Sequence, residues 1–575
     1  MKPFVRRFVT AIIISITLTL LACDTIRSVD TQKPELFKLE KLFPTEFNPS
    51  VSFDKSISAN PLLDFSLGKA VIIVPSSDGM ITALNTETGA MVWEIKLPTP
   101  TAQTAQLIAT PVIIGDKLVV IYQCLDQGVR SSHRLTVIDL TNKQLDDRFS
   151  ELIITAEQPA SDGVGTVKFD PPNAFSHAAL KHLPRPDSEL GYLYASFGNA
   201  GDTQPYHGWL FEIDLDGWRN QGSQQAIRNV LLTTPEAECP VTLLHGTQEM
   251  ICGGGIWAPP GPQIFATDED VEILIPTGNG QIDLARHDYA NTLMRVKPGL
   301  QFDAACDAQL CANFNPSQPT ETCMASCKNL FIPRLAAGNS PLKPANGECD
   351  DKSFWDCLAW MDYDLGANSP IKVKLQNGQS VLVQPGKDGG VYLVDAEHLG
   401  TQYDRLPIEL CGTAADPCRA SWMGMIVTQP VVAYFNNQPV VIVATFSPDK
   451  SHAAGLVALK IVENQGFPKL QRFWQFPNPN YSEALLTFRS HPSLPVITSP
   501  GNSKEPVVWV VDIGNHGTLY GIRIKDGQLV AKQILQGAGR PLSAPLIYNN
   551  RLYLTSIMPD TNKAMLEAYR IDPAD

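Results

Sequence analysis

Apolar residues in this chain gather in short runs instead of recurring at helical spacing. Val71 to Val74, Leu118 to Tyr122, Tyr192 to Phe197, Val271 to Ile275, Val381 to Val383, Val440 to Val443, Val507 to Val511 and Leu552 to Leu554 are rich in β-branched and aromatic residues. Gly, Asn and Asp punctuate the stretches between them, so each run predicts a strand. Several are followed by a second strand that ends in a turn. The clearest copy is Asp78 to Trp93: Gly79 starts a strand, Thr88-Gly89 closes a hairpin, and Trp93 lies on the returning strand. Looser copies occupy 135–142, 208–218, 389–400, 455–460, 517–527 and 564–572. One hairpin unit recurring every ~40–60 residues predicts a radial β array, because a single blade cannot bury both of its faces.

Composition agrees with strands and tight loops. Charged residues are 18% of the 575, while 40 Gly and 45 Pro supply turns. The formal charge of −14 makes nucleic acid an unfavourable partner. Twelve cysteines suit an oxidising compartment. Cys239 with Cys252 and Cys411 with Cys418 read as local loop staples. Cys306, Cys311, Cys323, Cys327, Cys349 and Cys357 crowd one segment and allow three more bridges in fifteen connectivities. Zinc is the rival reading of Cys323-x-x-x-Cys327; export favours disulfides. Cys124, inside an apolar run, is the expected buried free thiol.

The export expectation comes from the first residues. Lys2, Arg6 and Arg7 precede an apolar stretch from Phe8 to Leu21, too short to span a bilayer comfortably. Leu20-Leu21-Ala22-Cys23 resembles the lipobox of bacterial lipoproteins, which implies cleavage after residue 22, lipidation of Cys23 and a formal charge of about −17. Residues 23–60 then read as a polar tether ending in a strand or loop that docks on the body, and 61–575 as the propeller. The expected location is the cell envelope, lipid-anchored on a periplasmic or outer face.

The spacing Ala83-x-Asn85-x-x-Thr88-Gly89-x-x-x-Trp93 resembles the repeat of the pyrroloquinoline-quinone (PQQ) dehydrogenase-like propellers. Phe197-Gly198-Asn199 with Pro205 to Trp209, Gly253-Gly254-Gly255-Ile256-Trp257, Thr277-Gly278-Asn279-Gly280, Asp362 to Gly366 with Ser369-Pro370, and Gly386-Lys387-Asp388-Gly389 extend the likeness over most of 65–575. The resemblance implies an all-β, eight-bladed propeller of four-stranded antiparallel blades. A disulfide-rich insertion at 303–360 departs from the blade spacing.

The same resemblance implies a chemistry. The family holds PQQ and Ca²⁺, with an Asp as general base and a Lys or Arg on the quinone carbonyls. Asp364 falls at the base, Lys387 at the cation, and Trp257 and His207 at cofactor-contacting positions. The calcium Glu falls near Asp202-Thr203, where there is none, and the calcium Asn near His287, before Tyr289 and Asn291. No adjacent Cys-Cys pair occurs. Each residue also has a structural role open to it: Asp364 as a turn cap, Lys387-Asp388-Gly389-Gly390 as a hairpin, His207 as a backbone partner, and the tryptophans as packing between blades. Two functions follow as expectations. One is a non-catalytic propeller lipoprotein binding another envelope protein or a glycan. The other is a PQQ- and Ca²⁺-dependent dehydrogenase oxidising an alcohol or sugar.

Overall fold

A computed structural model describes residues 36–46, 52–199, 206–236, 253–267, 270–335, 349–408, 426–435, 437–445, 455–477, 492–499, 505–513, 517–540, 543–558, 560–561 and 563–574, with the backbone alone for 241–244 and 247–250. The predicted staples Cys239, Cys252, Cys411 and Cys418, the candidate lipidation site Cys23, and Asp202-Thr203 lie outside the described residues.

The chain forms eight antiparallel blades. In blade 1 the strands Leu62–Asp64, Val71–Pro75, Met80–Asn85 and Met91–Lys96 follow one another from inside to outside. Blades 3 to 7 repeat this order, with second strands Tyr192–Phe197, Val271–Pro276, Ser380–Pro385, Gln438–Thr445 and Val507–Asp512. Blade 2 is built around Lys117–Asp126 and Val129–Asp139, and blade 8 around Arg551–Ile557 and Ala564–Pro573. Each of the eight apolar runs found in the sequence is therefore the second strand of a different blade.

Alternation along these strands explains the ring. Val71 and Ile73 pack with Leu118 and Val120 of blade 2, whereas Ile72 and Val74 pack with Tyr553 and Leu566 of blade 8. A period of two sends successive side chains to opposite faces, so every blade joins two cores. The described residues form eight such inter-blade cores, and the eighth returns to the first blade. The strand Phe37–Phe43 pairs with Ala564–Pro573 and becomes the outer strand of blade 8. The two ends of the described chain thus close the ring in one sheet.

The hairpin motif has a local cause. Asn85 Oδ1 accepts the amides of Glu87 at 2.8 Å and Thr88 at 3.0 Å, and Gly89 takes φ +69°. Asp139 and Asp395 cap equivalent turns through the amides two and three residues on. Trp93 is buried between blades 1 and 2, as packing predicts.

The insertion carries more blade than its sequence suggested. Leu330–Phe331 within it pairs with Leu293–Val296 and is the outer strand of blade 4. Two short helices, Glu321–Ser326 (α1) and Phe354–Trp360 (α2), flank this strand. Of the fifteen pairings, the structure forms Cys306–Cys327, Cys311–Cys323 and Cys349–Cys357. Cys306, Cys311 and Cys327 place their sulfurs together, but as members of two disulfides, which leaves no thiolates for zinc. Cys124 is free and buried, and burial pushes its thiol above the ordinary range.

Candidate functional site

Antiparallel connectivity places two kinds of loop on the same face: those joining one blade to the next, and those joining the second strand of a blade to its third. Trp257, Asp362 and Asp364 belong to the first kind, and Tyr206, His207, Asn279 and Lys387 to the second. Five of these residues, from the loops of blades 3, 4 and 5, form one cluster. Lys387 Nζ lies 2.7 Å from Asp362 Oδ2 and 3.4 Å from Asp364 Oδ2. It also stands over the Trp257 ring at 4.7 Å. Asp364 is 0% exposed and Lys387 4%. Buried charges of opposite sign in hydrogen-bonding contact offset part of each other's desolvation.

Backbone contacts hold Asp364 in place. Its Oδ1 accepts the Ala367 amide and its Oδ2 the Asn279 amide, both at 3.2 Å, and the Lys387 amide donates to its carbonyl at 3.0 Å. The bond to Ala367 is the turn cap expected from sequence, and the bonds to Asn279 and Lys387 go beyond it. Asp362 takes a left-handed φ of +55°, a conformation that Asp tolerates better than most residues. Gly366 must be glycine: a Cβ there would lie 2.6 Å from the Gly278 backbone. That close approach brings the loop before blade 5 against Asn279. Gln384 donates to the Asn368 carbonyl at 2.9 Å, and Ser369 to that of Gly261 at 2.7 Å, tying the loop on both sides.

The hairpin role in Lys387-Asp388-Gly389-Gly390 falls to Asp388. Its Oδ1 accepts the Gly390 amide at 3.1 Å, and its Oδ2 accepts from Arg405 at 2.6 Å and Tyr392 at 2.7 Å. Lys387 is thereby spared for the two carboxylates.

His207 has the backbone role. Its Nδ1 lies 2.7 Å from the Thr234 carbonyl, its ring stands edge-on to Trp209, and burial lowers its pKa, favouring neutral imidazole. His287 is exposed with its Nδ1 3.1 Å from the Tyr289 hydroxyl. The residue of this loop that meets Asp364 is Asn279, through its backbone amide. Asp288 was not foreseen: burial, with Glu236 beside it, holds its carboxyl well above the usual range.

The residues present fit a hard cation and a planar anionic group. Asp362, Asp364 and Asn279 offer hard oxygen donors, and Lys387 with Trp257 offers a cation and an aromatic face. Asn279 is 2% exposed; its Oδ1 accepts from the Tyr206 hydroxyl at 2.7 Å while its Nδ2 has no partner. Turning the amide over lets Nδ2 donate to Tyr206 and leaves Oδ1 as the unpartnered buried atom, an oxygen donor.

No family model matches the chain, and no curated protein matches it in sequence. Solved structures match in fold. A quinohemoprotein alcohol dehydrogenase from Pseudomonas putida HK5 aligns with a TM-score of 0.52 at 12% identity, over 92% of this chain and 76% of that one. A europium-containing methanol dehydrogenase aligns with a TM-score of 0.50 at 10% identity, over 95% of both chains. The fold is that of the quinoprotein alcohol dehydrogenases. At these identities the likeness concerns architecture alone.

Proposed function

We propose that the face shared by blades 3, 4 and 5 is a cofactor site for PQQ and Ca²⁺, serving oxidation of an alcohol or sugar. The observation that carries this reading is the convergence of Trp257, Asn279, Asp362, Asp364 and Lys387 from loops far apart in sequence. When bound, the quinone supplies a two-electron acceptor and the cation polarises its carbonyl. Asp362 and the Asn279 amide would hold the cation, and Lys387 and Trp257 the quinone. Asp364, oriented by two backbone amides, takes the substrate hydroxyl proton on Oδ2. Asp362, the nearer partner of Lys387, keeps the ammonium in position. The test adds PQQ and Ca²⁺ to the purified protein. Saturable tryptophan quenching and dye reduction are expected, with Asp364→Asn retaining the quenching and losing at least about 100-fold in dye reduction. Unchanged fluorescence and unchanged thermal unfolding would sink the reading.

A non-catalytic binding propeller is the second reading. It is favoured by the paired state of Lys387, already neutralised by two carboxylates, and by the absence of a Glu at 199–209 and of an adjacent Cys-Cys pair. Its partner would be an envelope protein or a glycan. In both readings Cys23 carries lipid and tethers the ring to a membrane. Labelled palmitate should enter the wild type and not Cys23→Ala, which should leave the membrane fraction.

A further inference from the structure

The turns that join first to second and third to fourth strands lie on the face opposite the Asp364 cluster. Eleven large apolar side chains are exposed among the described residues. Four of them stand on this opposite face within the adjacent blades 8 and 1: Leu36 at 41%, Phe65 at 55%, Met91 at 54% and Val92 at 43%. Phe65 follows the first strand of blade 1, Met91 and Val92 begin its fourth, and Leu36 immediately precedes the outer strand of blade 8. The two blades present one surface there. The Phe65 ring meets Tyr548 edge-on with centroids 5.6 Å apart, and Arg551 meets Glu87 at 2.6 Å, each pair crossing the junction. Single exposed apolar residues are ordinary, but a group of them on adjacent blades marks a place of contact.

Charge in this sector differs from that of the chain, which carries −14 overall. The acids Glu87, Glu40 and Asp572 each meet an arginine, Arg551 or Arg570. Lys38 and Lys69 are exposed and have no ion pair among the described residues. Apolar side chains flanked by unpaired lysines suit a bilayer surface, where the chains and rings sit among headgroups and the ammoniums meet phosphates. The tether favours that occupant over any other. Leu36 is thirteen residues on from Cys23, and the chain enters the ring in this sector. At about 3.5 Å per residue, lipid on Cys23 would hold the sector within about 45 Å of the membrane.

We propose that blades 8 and 1 rest on the bilayer through Leu36, Phe65, Met91 and Val92, which turns the Asp364 face toward the aqueous side. This orientation takes the Cys23 tether from the reading above, and its test does without the lipid. The chain from residue 24 onward, with a histidine tag at its N-terminus, is held on nickel-chelating vesicles of phosphatidylethanolamine and phosphatidylglycerol. Its amide exchange is compared with that of the same protein free in solution. Exchange in 65–70 and 88–92 should slow at least about threefold on the vesicles, while 161–165 on the opposite face stays unchanged. Phe65→Ser combined with Met91→Ser, both at exposed positions, should keep the fold and lose the slowing. Val164→Ser, at an exposed position on the other face, should retain it. Slowing at 161–165 instead, slowing at neither place, or slowing that survives the double variant would overturn the proposal. So would slowing of 65–70 in solution as protein concentration rises, which would assign the surface to a second copy of the chain. Palmitate labelling of Cys23 reads the anchor separately, so failure of the anchor and failure of the surface are told apart.

Discussion

The junction of blades 4 and 5 and the junction of blades 8 and 1 lie across the ring from each other, and they handle charge in opposite ways. Both rest on the same apolar frame: Leu274, Leu382 and Val394 in one, Ile72, Leu566 and Ala568 in the other. At the first, Lys387, Asp362 and Asp364 are sunk beneath the surface. At the second, the ion pairs Arg551–Glu87 and Lys563–Asp54 stay at the rim, and the interior is closed by Phe43 and Tyr553. The repeat supplies the frame, and the loops on one face decide where charge is tolerated. Burying three charges is a cost that packing alone would avoid, so the blade 4–5 junction is where function is to be sought.

The largest effect should come from breaking the buried set. Lys387→Met removes the buried ammonium that Asp362 and Asp364 share, and the loss should reach about 5 kcal/mol by denaturant unfolding. Adding Asp362→Asn should recover part of that loss, because one carboxylate is then neutral. A loss below about 1 kcal/mol would mean that the three groups do not act as a unit. At the opposite junction the corresponding change is apolar. Phe43 is 1% exposed and stands so close to Gly89 that a Cβ there would lie 2.8 Å from its ring. Phe43→Ala should cost about 3–4 kcal/mol and loosen the strand that closes the ring, seen as faster amide exchange in 37–43 and 564–573.

The two junctions also differ in how far their sequence betrayed them. The apolar frame was legible because period-two alternation and the Asn85 hairpin are local signals. Asp364 and Lys387 were found through their motifs. Asn279 was not assigned its role, since its partner Asp364 lies 85 residues away and the contact depends on two glycines meeting backbone to backbone. Leu330–Phe331 was lost inside the insertion because two residues carry no period.

A third junction, between blades 2 and 3, sharpens the contrast by burying a titratable group with no opposite charge. His133 is fully buried among Phe169 and Phe197, and desolvation lowers its pKa to about 4, against a weaker contribution from the Pro171 carbonyl. The unfolded chain takes up this proton below about pH 6.5, the folded chain only near pH 4. Stability from this residue is therefore complete above pH 6.5 and falls as pH drops through that window, by about 3 kcal/mol in all. Unfolding of wild type and His133→Gln between pH 7 and pH 4 should show a slope in the first that is missing from the second. Parallel curves would show that His133 titrates normally.

The smallest effect belongs to the rim of the closing junction. Arg551 and Glu87 form a 2.6 Å pair, but Glu87 is 58% exposed, so water and salt screen most of the attraction. Glu87→Gln should lower stability by less than about 1 kcal/mol, and the difference should shrink further in 1 M salt. Lys387→Met, by contrast, should keep nearly all of its cost in the same salt, since its partners lie where ions do not reach. Salt thus separates the two junctions without reference to any ligand. If both variants respond to it alike, the charges at blades 4 and 5 are open to solvent, and their burial cannot be used to argue for a site.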